Sequence, residues 1–187
     1  MEVEKQNLMT RRLVLSPVRA GHARALHSLV NDWEVVKMLA VLPWPVPFEA
    51  VESFAAGHER SSSGEDAFTV LLDEAPIGVC GVKRPGTGNS PRKTPRLGYW
   101  IGRRHWGMGF ATEAVAALVD HAFDRYPSDV VGAGVFTDNP ASRRVLEKLR
   151  FRRVGGYPIG CVARGGPVQV DNMHMTRVRW TARAHAS

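Results

Sequence analysis

The sequence predicts a mixed α/β domain with one sheet, and three observations carry that expectation. Residues 68–72 and 77–82 are β-rich runs joined by a short turn, the pattern of a hairpin. Residues 111–123 instead place Ala114, Val115, Leu118, Val119 and Ala122 at helical spacing, one apolar stripe with Glu113, Asp120 and Asp124 toward the other side. Strand-like and helix-like segments alternate along 187 residues with no internal repeat and no domain-scale linker, so a single domain spanning 1–187 is expected.

In chain order, Leu13-Val14-Leu15 reads as a short strand stopped by Ser16-Pro17. A helix follows through Ala25, Leu26, Leu29 and Val30, and a second short helix is expected over residues 34–39. Pro43-Trp44-Pro45-Val46-Pro47 excludes a regular helix or a central strand. Residues 48–60 return to helical spacing, and Ser61-Ser62-Ser63-Gly64 ends that helix. The hairpin turns across Asp73-Glu74-Ala75-Pro76. Residues 84–95, with three prolines and two glycines, read as a mobile, solvated loop. Residues 97–101 form the next strand, then come the 111–123 helix and a strand over 130–137. Asp138-Asn139-Pro140 is a helix start, with Asn at the cap and proline at the first helical position, and the helix runs to about Leu149. Residues 151–154 and 168–178 are strands around a glycine-rich turn, and residues 1–9 and 181–187 are expected to be flexible ends.

Composition narrows the class. The hydrophobic fraction of 44% is that of a globular chain, and no apolar run approaches the ~20 residues of a membrane span. No apolar stretch of signal-peptide type follows Met1-Glu2-Val3-Glu4-Lys5, so a soluble cytoplasmic protein is expected. Cys80 and Cys161 lack metal-ligand or redox spacing; no metal is expected, and Cys80 reads as a small buried hydrophobe. The net charge of +7 is uneven: residues 83–104 hold seven basic and no acidic residues. Such a bias attracts anions, whether nucleic acid, anionic lipid or an anionic small molecule, yet no recognised nucleic-acid-binding motif accompanies it.

The most informative stretch runs Leu97-Gly98-Tyr99-Trp100-Ile101-Gly102-Arg103-Arg104-His105-Trp106-Gly107-Met108-Gly109-Phe110-Ala111-Thr112. A strand leads into a glycine loop and the loop into a helix, whose first N–H groups and dipole favour an anion. Gly107 and Gly109 let a phosphate approach the backbone without a Cβ in the way. Physics alone stops at an anion site, and a turn that uses glycine only for its geometry is the alternative.

The segment Trp106-Gly107-Met108-Gly109-Phe110-Ala111 resembles motif A of the GNAT N-acetyltransferase superfamily, with Trp106 where Gln or Arg is usual. Tyr99-Trp100-Ile101 before it resembles the RimJ/RimL-like branch. So do Thr10-Arg11-Arg12-Leu13-Val14-Leu15, Asn31-Asp32-Trp33-Glu34-Val35-Val36 and Asn139-Pro140-Ala141-Ser142 with Val145-Leu146-Glu147-Lys148-Leu149. The resemblance covers residues 10–180 in order and implies a GNAT-like domain, a central mixed, mostly antiparallel, twisted β-sheet flanked by helices. It also implies an acetyl-CoA-dependent N-acetyltransferase working by direct amine attack. Backbone groups of Tyr99, Trp100 and Ile101 are then expected on the pantetheine arm. The Trp106–Thr112 loop (Trp106, Gly107, Met108, Gly109, Phe110, Ala111, Thr112) is expected on the pyrophosphate. Asn139 is expected to hydrogen-bond the pantetheine, with Ser142 near the thioester sulfur.

Two departures touch the chemistry. Many family members carry a tyrosine where this chain has Leu146, which leaves Ser142 as the candidate acid, although a favourable first-turn residue would also explain it. Related sequences often carry Glu where Arg96 stands, so no base is assigned; His105 titrates in a useful range but lies in the loop. Arg150 replaces a usual glycine at the end of the helix. The acceptor is expected to be an amine, either a peptide N-terminus or a small molecule such as an amino acid, polyamine or antibiotic. A non-catalytic acetyl-CoA sensor is the rival reading. Nucleic acid is expected only through ribosome association, and the chain is expected to be a monomer or homodimer.

Overall fold

The computed structural model describes residues 6–60, 65–86 and 94–184. Eight strands form one sheet: β1 (Leu8–Met9), β2 (Val14–Pro17), β3 (Glu65–Leu72), β4 (Ala75–Lys83), β5 (Arg96–Ile101), β6 (Val130–Phe136), β7 (Arg152–Cys161) and β8 (Gly166–Thr176). Their order across the sheet is β1-β2-β3-β4-β5-β6-β8-β7. Every neighbouring pair is antiparallel except β5 and β6, which run parallel. The expected mixed, mostly antiparallel sheet is present.

Helices α1 (Ala23–Val30), α2 (Trp33–Val36) and α3 (Phe48–Glu59) connect β2 to β3; α4 (Phe110–Arg125) and α5 (Pro140–Lys148) precede and follow β6. The α4 stripe of Ala114, Val115, Leu118, Val119 and Ala122 packs on Leu97, Ile101, Val131, Ala133 and Val135 in the main core. The opposite face of β5 presents Trp100 to a smaller core with Leu26, Val30, Val35 and Val36 of α1 and α2. Alternation along β5 thus divides its side chains between two helix layers.

Several boundaries differ from the sequence reading, each for a visible reason. Ser16-Pro17 does not stop β2: both residues pair with β3, and Pro17 is tolerated because β1 pairs only as far as Leu15. The hairpin turn is tighter than Asp73–Pro76, since Ala75 and Pro76 already pair with Leu72 and Leu71. Asp73 and Glu74 make the turn with φ of 48° and 64°. The 168–178 strand ends at Thr176, where a helix missed from the sequence, α6 (Arg177–Ala184), begins. Trp180 of α6 docks in the core and donates to Asp120 at 2.6 Å, so the helix is held by tertiary contact. Leu8 and Met9, assigned to a flexible end, pair with Leu15 and Val14. Most of the 84–95 loop and the Ser61–Gly64 stop lie outside the described residues.

Arg150 takes φ 67°, the left-handed conformation that glycine adopts without penalty. Its N–H donates to Glu147 O at 2.8 Å, and Phe151 N–H donates to Leu146 O at 2.9 Å. The turn that ends α5 therefore keeps its usual hydrogen bonds with arginine in the glycine position.

Candidate active site

The site begins with a fork in the sheet. β5 and β6 pair only at Arg96↔Gly132 and Leu97↔Ala133, yet β5 continues to Ile101 and β6 to Phe136. Gly102 N–H donates to Ile77 O at 2.8 Å, which fixes the alternation with β4. Residues 98 and 100 spend their backbone groups on β4, so those of Tyr99 and Ile101 face the fork. Apart from Ile101 O, which the Trp106 indole N–H engages, this is an open strand edge inside the domain.

The fork opens into a cleft of about 430 Å³ with walls on both sides of the sheet. On the α4–α5 side lie Tyr99, the 105–112 loop, Asn139 and Ser142; on the other lie Glu34, Val35, Met38, Gly98, Trp100 and Gly134. Every sequence-predicted site residue lines this cleft except Met108, which sits in the same loop and is exposed.

The glycine loop has the geometry its residues allow. Gly107 and Gly109 have φ of 76° and 81°, and Gly109 is the N-cap of α4. The first turn of α4 therefore points unpaired N–H groups at the cleft. Trp106, in the place of the usual Gln or Arg, donates its indole N–H to Ile101 O at 2.6 Å and ties the loop to the end of β5. Arg12 braces the loop from outside: its Nε donates to Glu113 Oε2 at 2.7 Å and its Nη1 to Met108 O at 3.0 Å. Its guanidinium also lies 4.5 Å from the centre of the Phe110 ring. Thr10 Oγ1 and Arg12 N–H both donate to Glu113 Oε1 at 2.7 Å. Burial raises the Glu113 pKa, but these bonds outweigh it and hold the carboxyl below its ordinary range. The brace joins residues about a hundred positions apart, and no local pattern in the sequence signals it.

Asn139 caps α5, its Oδ1 accepting Ser142 N–H at 3.0 Å. Ser142 Oγ lies 2.8 Å from Tyr99 Oη, and Tyr99 also donates to Ser142 O at 3.2 Å. Leu146, at the position where the family often has tyrosine, is fully buried in the core. His105 lines the cleft; its Nε2 accepts from Arg104 Nε at 2.9 Å, and burial followed by the Arg104 charge lowers its pKa.

Sequence reasoning missed Glu34, which supplies the carboxylate among the cleft-lining residues. Its ion pair with Lys37 (2.7 Å) lowers its pKa. The wall that carries it is held by the β7–β8 turn: Arg164 Nε donates to Lys37 O at 2.7 Å and its Nη1 to Asp138 Oδ2 at 2.6 Å. Val162 N–H donates to Ala40 O at 2.9 Å. Trp44 packs edge-on against Trp33, ring centroids 5.8 Å apart, and neither ring lines the cleft.

Residues 12–152 match the family model of the acetyltransferase (GNAT) domain. The chain belongs to the GNAT acetyltransferases. It is 30% identical over 153 residues to a Bacillus licheniformis protein named uncharacterized N-acetyltransferase p20, covering 80% of this chain and 84% of that one. Among solved structures it resembles RimL, the ribosomal L7/L12 α-N-protein acetyltransferase, in complex with coenzyme A (TM-score 0.76, 20% identity, 93% and 99% of the two chains). It resembles AAC(6')-Ib in complex with ribostamycin and coenzyme A equally well (TM-score 0.76, 17% identity, 91% and 96%). The protein is thus an acetyl-CoA-dependent N-acetyltransferase, with acetyl-CoA as co-substrate and an amine as acceptor. Among the described residues no group of three or more His, Cys, Asp or Glu is placed to hold a metal ion, and no helix is long and apolar enough to cross a membrane.

Proposed function

We propose that this acetyltransferase acts in the RimJ/RimL-like manner, moving the acetyl group to a protein N-terminal α-amine. Acetyl-CoA would lie on the α4–α5 side, with its pyrophosphate on the N–H groups of residues 107–112 and its pantetheine along the open edge of Tyr99 and Ile101. Asn139, whose Oδ1 is engaged in the cap, would offer its amide N–H₂ to the pantetheine. Ser142 would meet the sulfur and help its departure.

The observation that carries the choice of acceptor is the chemistry of the opposite mouth. Glu34 keeps its negative charge there, which attracts an ammonium group but makes the carboxylate a weak base. A site with a weak base favours amines that are already partly neutral. An α-amine near pKa ~8 is about 10% neutral at pH 7, whereas a lysine near ~10.4 is well under ~0.1% neutral. Trp33, adjacent to Glu34, and its neighbour Trp44 are 39% and 43% exposed, which offers apolar surface to the residues behind a peptide terminus.

The test is thiol release from acetyl-CoA with three acceptor sets: peptide amides with a free α-amine, α-blocked peptides with a free lysine, and small amines. The α-amine peptides are expected to turn over at least about 10-fold faster than the lysine peptides. Comparable rates on the two peptide sets would sink the proposal. Turnover confined to polyamines, amino acids or antibiotics would identify a small-molecule enzyme, and tight acetyl-CoA binding without thiol release from any amine would identify a sensor.

A further inference from the structure

We propose that the Tyr99 side chain is a positioning residue for acetyl transfer, its phenol and the Ser142 hydroxyl forming a coupled pair that turns the serine hydrogen onto the departing sulfur. The inference rests on the role proposed above for Ser142 and adds a second residue to it. The resemblance assigns Tyr99 through its backbone; its side chain has a separate place in the structure.

Three contacts define that place. Tyr99 Oη is 2.8 Å from Ser142 Oγ and 3.2 Å from Ser142 O, while Ser142 N–H is held by Asn139 Oδ1 at 3.0 Å. The main chain of Ser142 is therefore fixed, and only its hydroxyl hydrogen is free to choose a direction. Both side chains line the cleft. Leu146 cannot supply a hydroxyl from α5, so the phenol in the cleft comes from the facing strand instead.

Each hydroxyl has one hydrogen, which allows two arrangements. In the first, Tyr99 donates to the Ser142 carbonyl and Ser142 donates to Tyr99 Oη. In the second, Tyr99 donates to Ser142 Oγ, and the serine hydrogen is free to point into the cleft. While both groups and the cleft are neutral, the first arrangement makes two hydrogen bonds against one and is favoured. As the amine nitrogen bonds to the acetyl carbon and the C–S bond breaks, negative charge collects on sulfur and a charge-assisted hydrogen bond from Ser142 favours the second arrangement. The amine loses one proton and sulfur gains one; Ser142 passes it and ends as it began, and Tyr99 stays a phenol throughout. Burial, partly offset by the hydrogen bond with Ser142, pushes the Tyr99 pKa up to about 12, so its hydrogen is present across the working range. The pair stabilises charge that exists only during the reaction, so it acts on turnover and not on acetyl-CoA binding.

Tyr99→Phe, Ser142→Ala and the double variant test this by single-turnover rate, KM for acetyl-CoA and acetyl-CoA affinity by calorimetry. The acceptor is a serine-initiated pentapeptide amide, or the fastest amine of the panel above. Tyr99→Phe is expected to slow transfer about 10- to 100-fold with the KM for acetyl-CoA within about 3-fold of the parent. The double variant is expected to be no slower than Ser142→Ala, because the phenol acts through the serine. A Tyr99→Phe enzyme with parental rate beside a slowed Ser142→Ala enzyme overturns the Tyr99 role and leaves Ser142 standing. A parental rate in Ser142→Ala overturns both. Losses that multiply in the double variant, or a change confined to acetyl-CoA affinity, overturn the coupling and reduce Tyr99 to packing.

Discussion

On the α4–α5 side of the cleft two short stretches of chain, within residues 105–112 and 139–145 and each at the start of a helix, join Tyr99 and Ile101 of β5. On the α2 side the walls come from segments far apart: Glu34, Val35, Met38 and Leu39, then Gly98 and Trp100, then Gly134 and Phe136, with Arg164 from the β7–β8 turn bonded to Lys37 O and Asp138. The first side uses helix starts, which need only glycine, a cap residue and local backbone geometry. The second uses side chains delivered by packing.

The sharpest break of this comparison is Gly109→Glu. A Cβ at φ 81° is strained and would meet Arg12 Nη2 at 3.4 Å, and the new carboxylate would face the phosphates. Acetyl-CoA affinity is expected to fall by at least about 100-fold by calorimetry; unchanged affinity would remove the loop from the site.

Next comes the anchoring of α4, whose first turn lines one side of the cleft. Asp66 of β3 accepts from His121 (3.2 Å) and Tyr126 (2.8 Å) on that helix and its C-cap. Burial pushes the Asp66 pKa up, but these two bonds together bring it down to about 2. A carboxyl whose folded pKa is depressed stabilises the fold above its unfolded pKa, and that contribution is lost as pH falls from about 4 toward 2. Asp66→Asn is expected to cost about 1–2 kcal/mol at pH 7 and progressively less below pH 4, read by urea unfolding at several pH values. A cost that does not change with pH would mean that packing, not charge, holds the helix.

A paired substitution separates the two mouths directly. Arg12→Ala removes the brace on the glycine loop and is expected to raise the KM for acetyl-CoA about 3- to 10-fold, leaving the acceptor KM near parental. Glu34→Gln should do the reverse, raising the acceptor KM about 2- to 5-fold and sparing acetyl-CoA. If both variants shift the same constant, the mouths are not independent.

The smallest effect is expected at Arg150, which touches neither mouth. Arg150→Gly relieves the left-handed backbone, partly offset by a looser unfolded chain, and should stabilise the protein by about 0.5–1 kcal/mol in urea unfolding with turnover unchanged. A loss of stability would show that the arginine side chain contributes more than its backbone costs.

The local signals were legible in the sequence because each depends on residues that are neighbours in the chain. Gly107 and Gly109 before an apolar helical stripe mark the loop that opens α4, and Asn139-Pro140 marks the start of α5; both elements begin where the sequence put them. Helix α6 was not legible, since its place depends on Trp180 reaching Asp120, sixty residues away. The Arg12–Glu113 brace, the delivery of Glu34 to the cleft and the Tyr99–Ser142 contact were hidden for the same reason. Tyr99 shows most plainly what each level decides. The sequence determined its strand and, through period-two alternation, that its backbone and side chain would serve different neighbours. Only the tertiary structure decided that β5 parts from β6 just before it, because strand pairing and the docking of α5 are set by packing between segments forty residues apart. That parting turns an ordinary strand residue into one whose backbone faces an open edge and whose phenol meets Ser142.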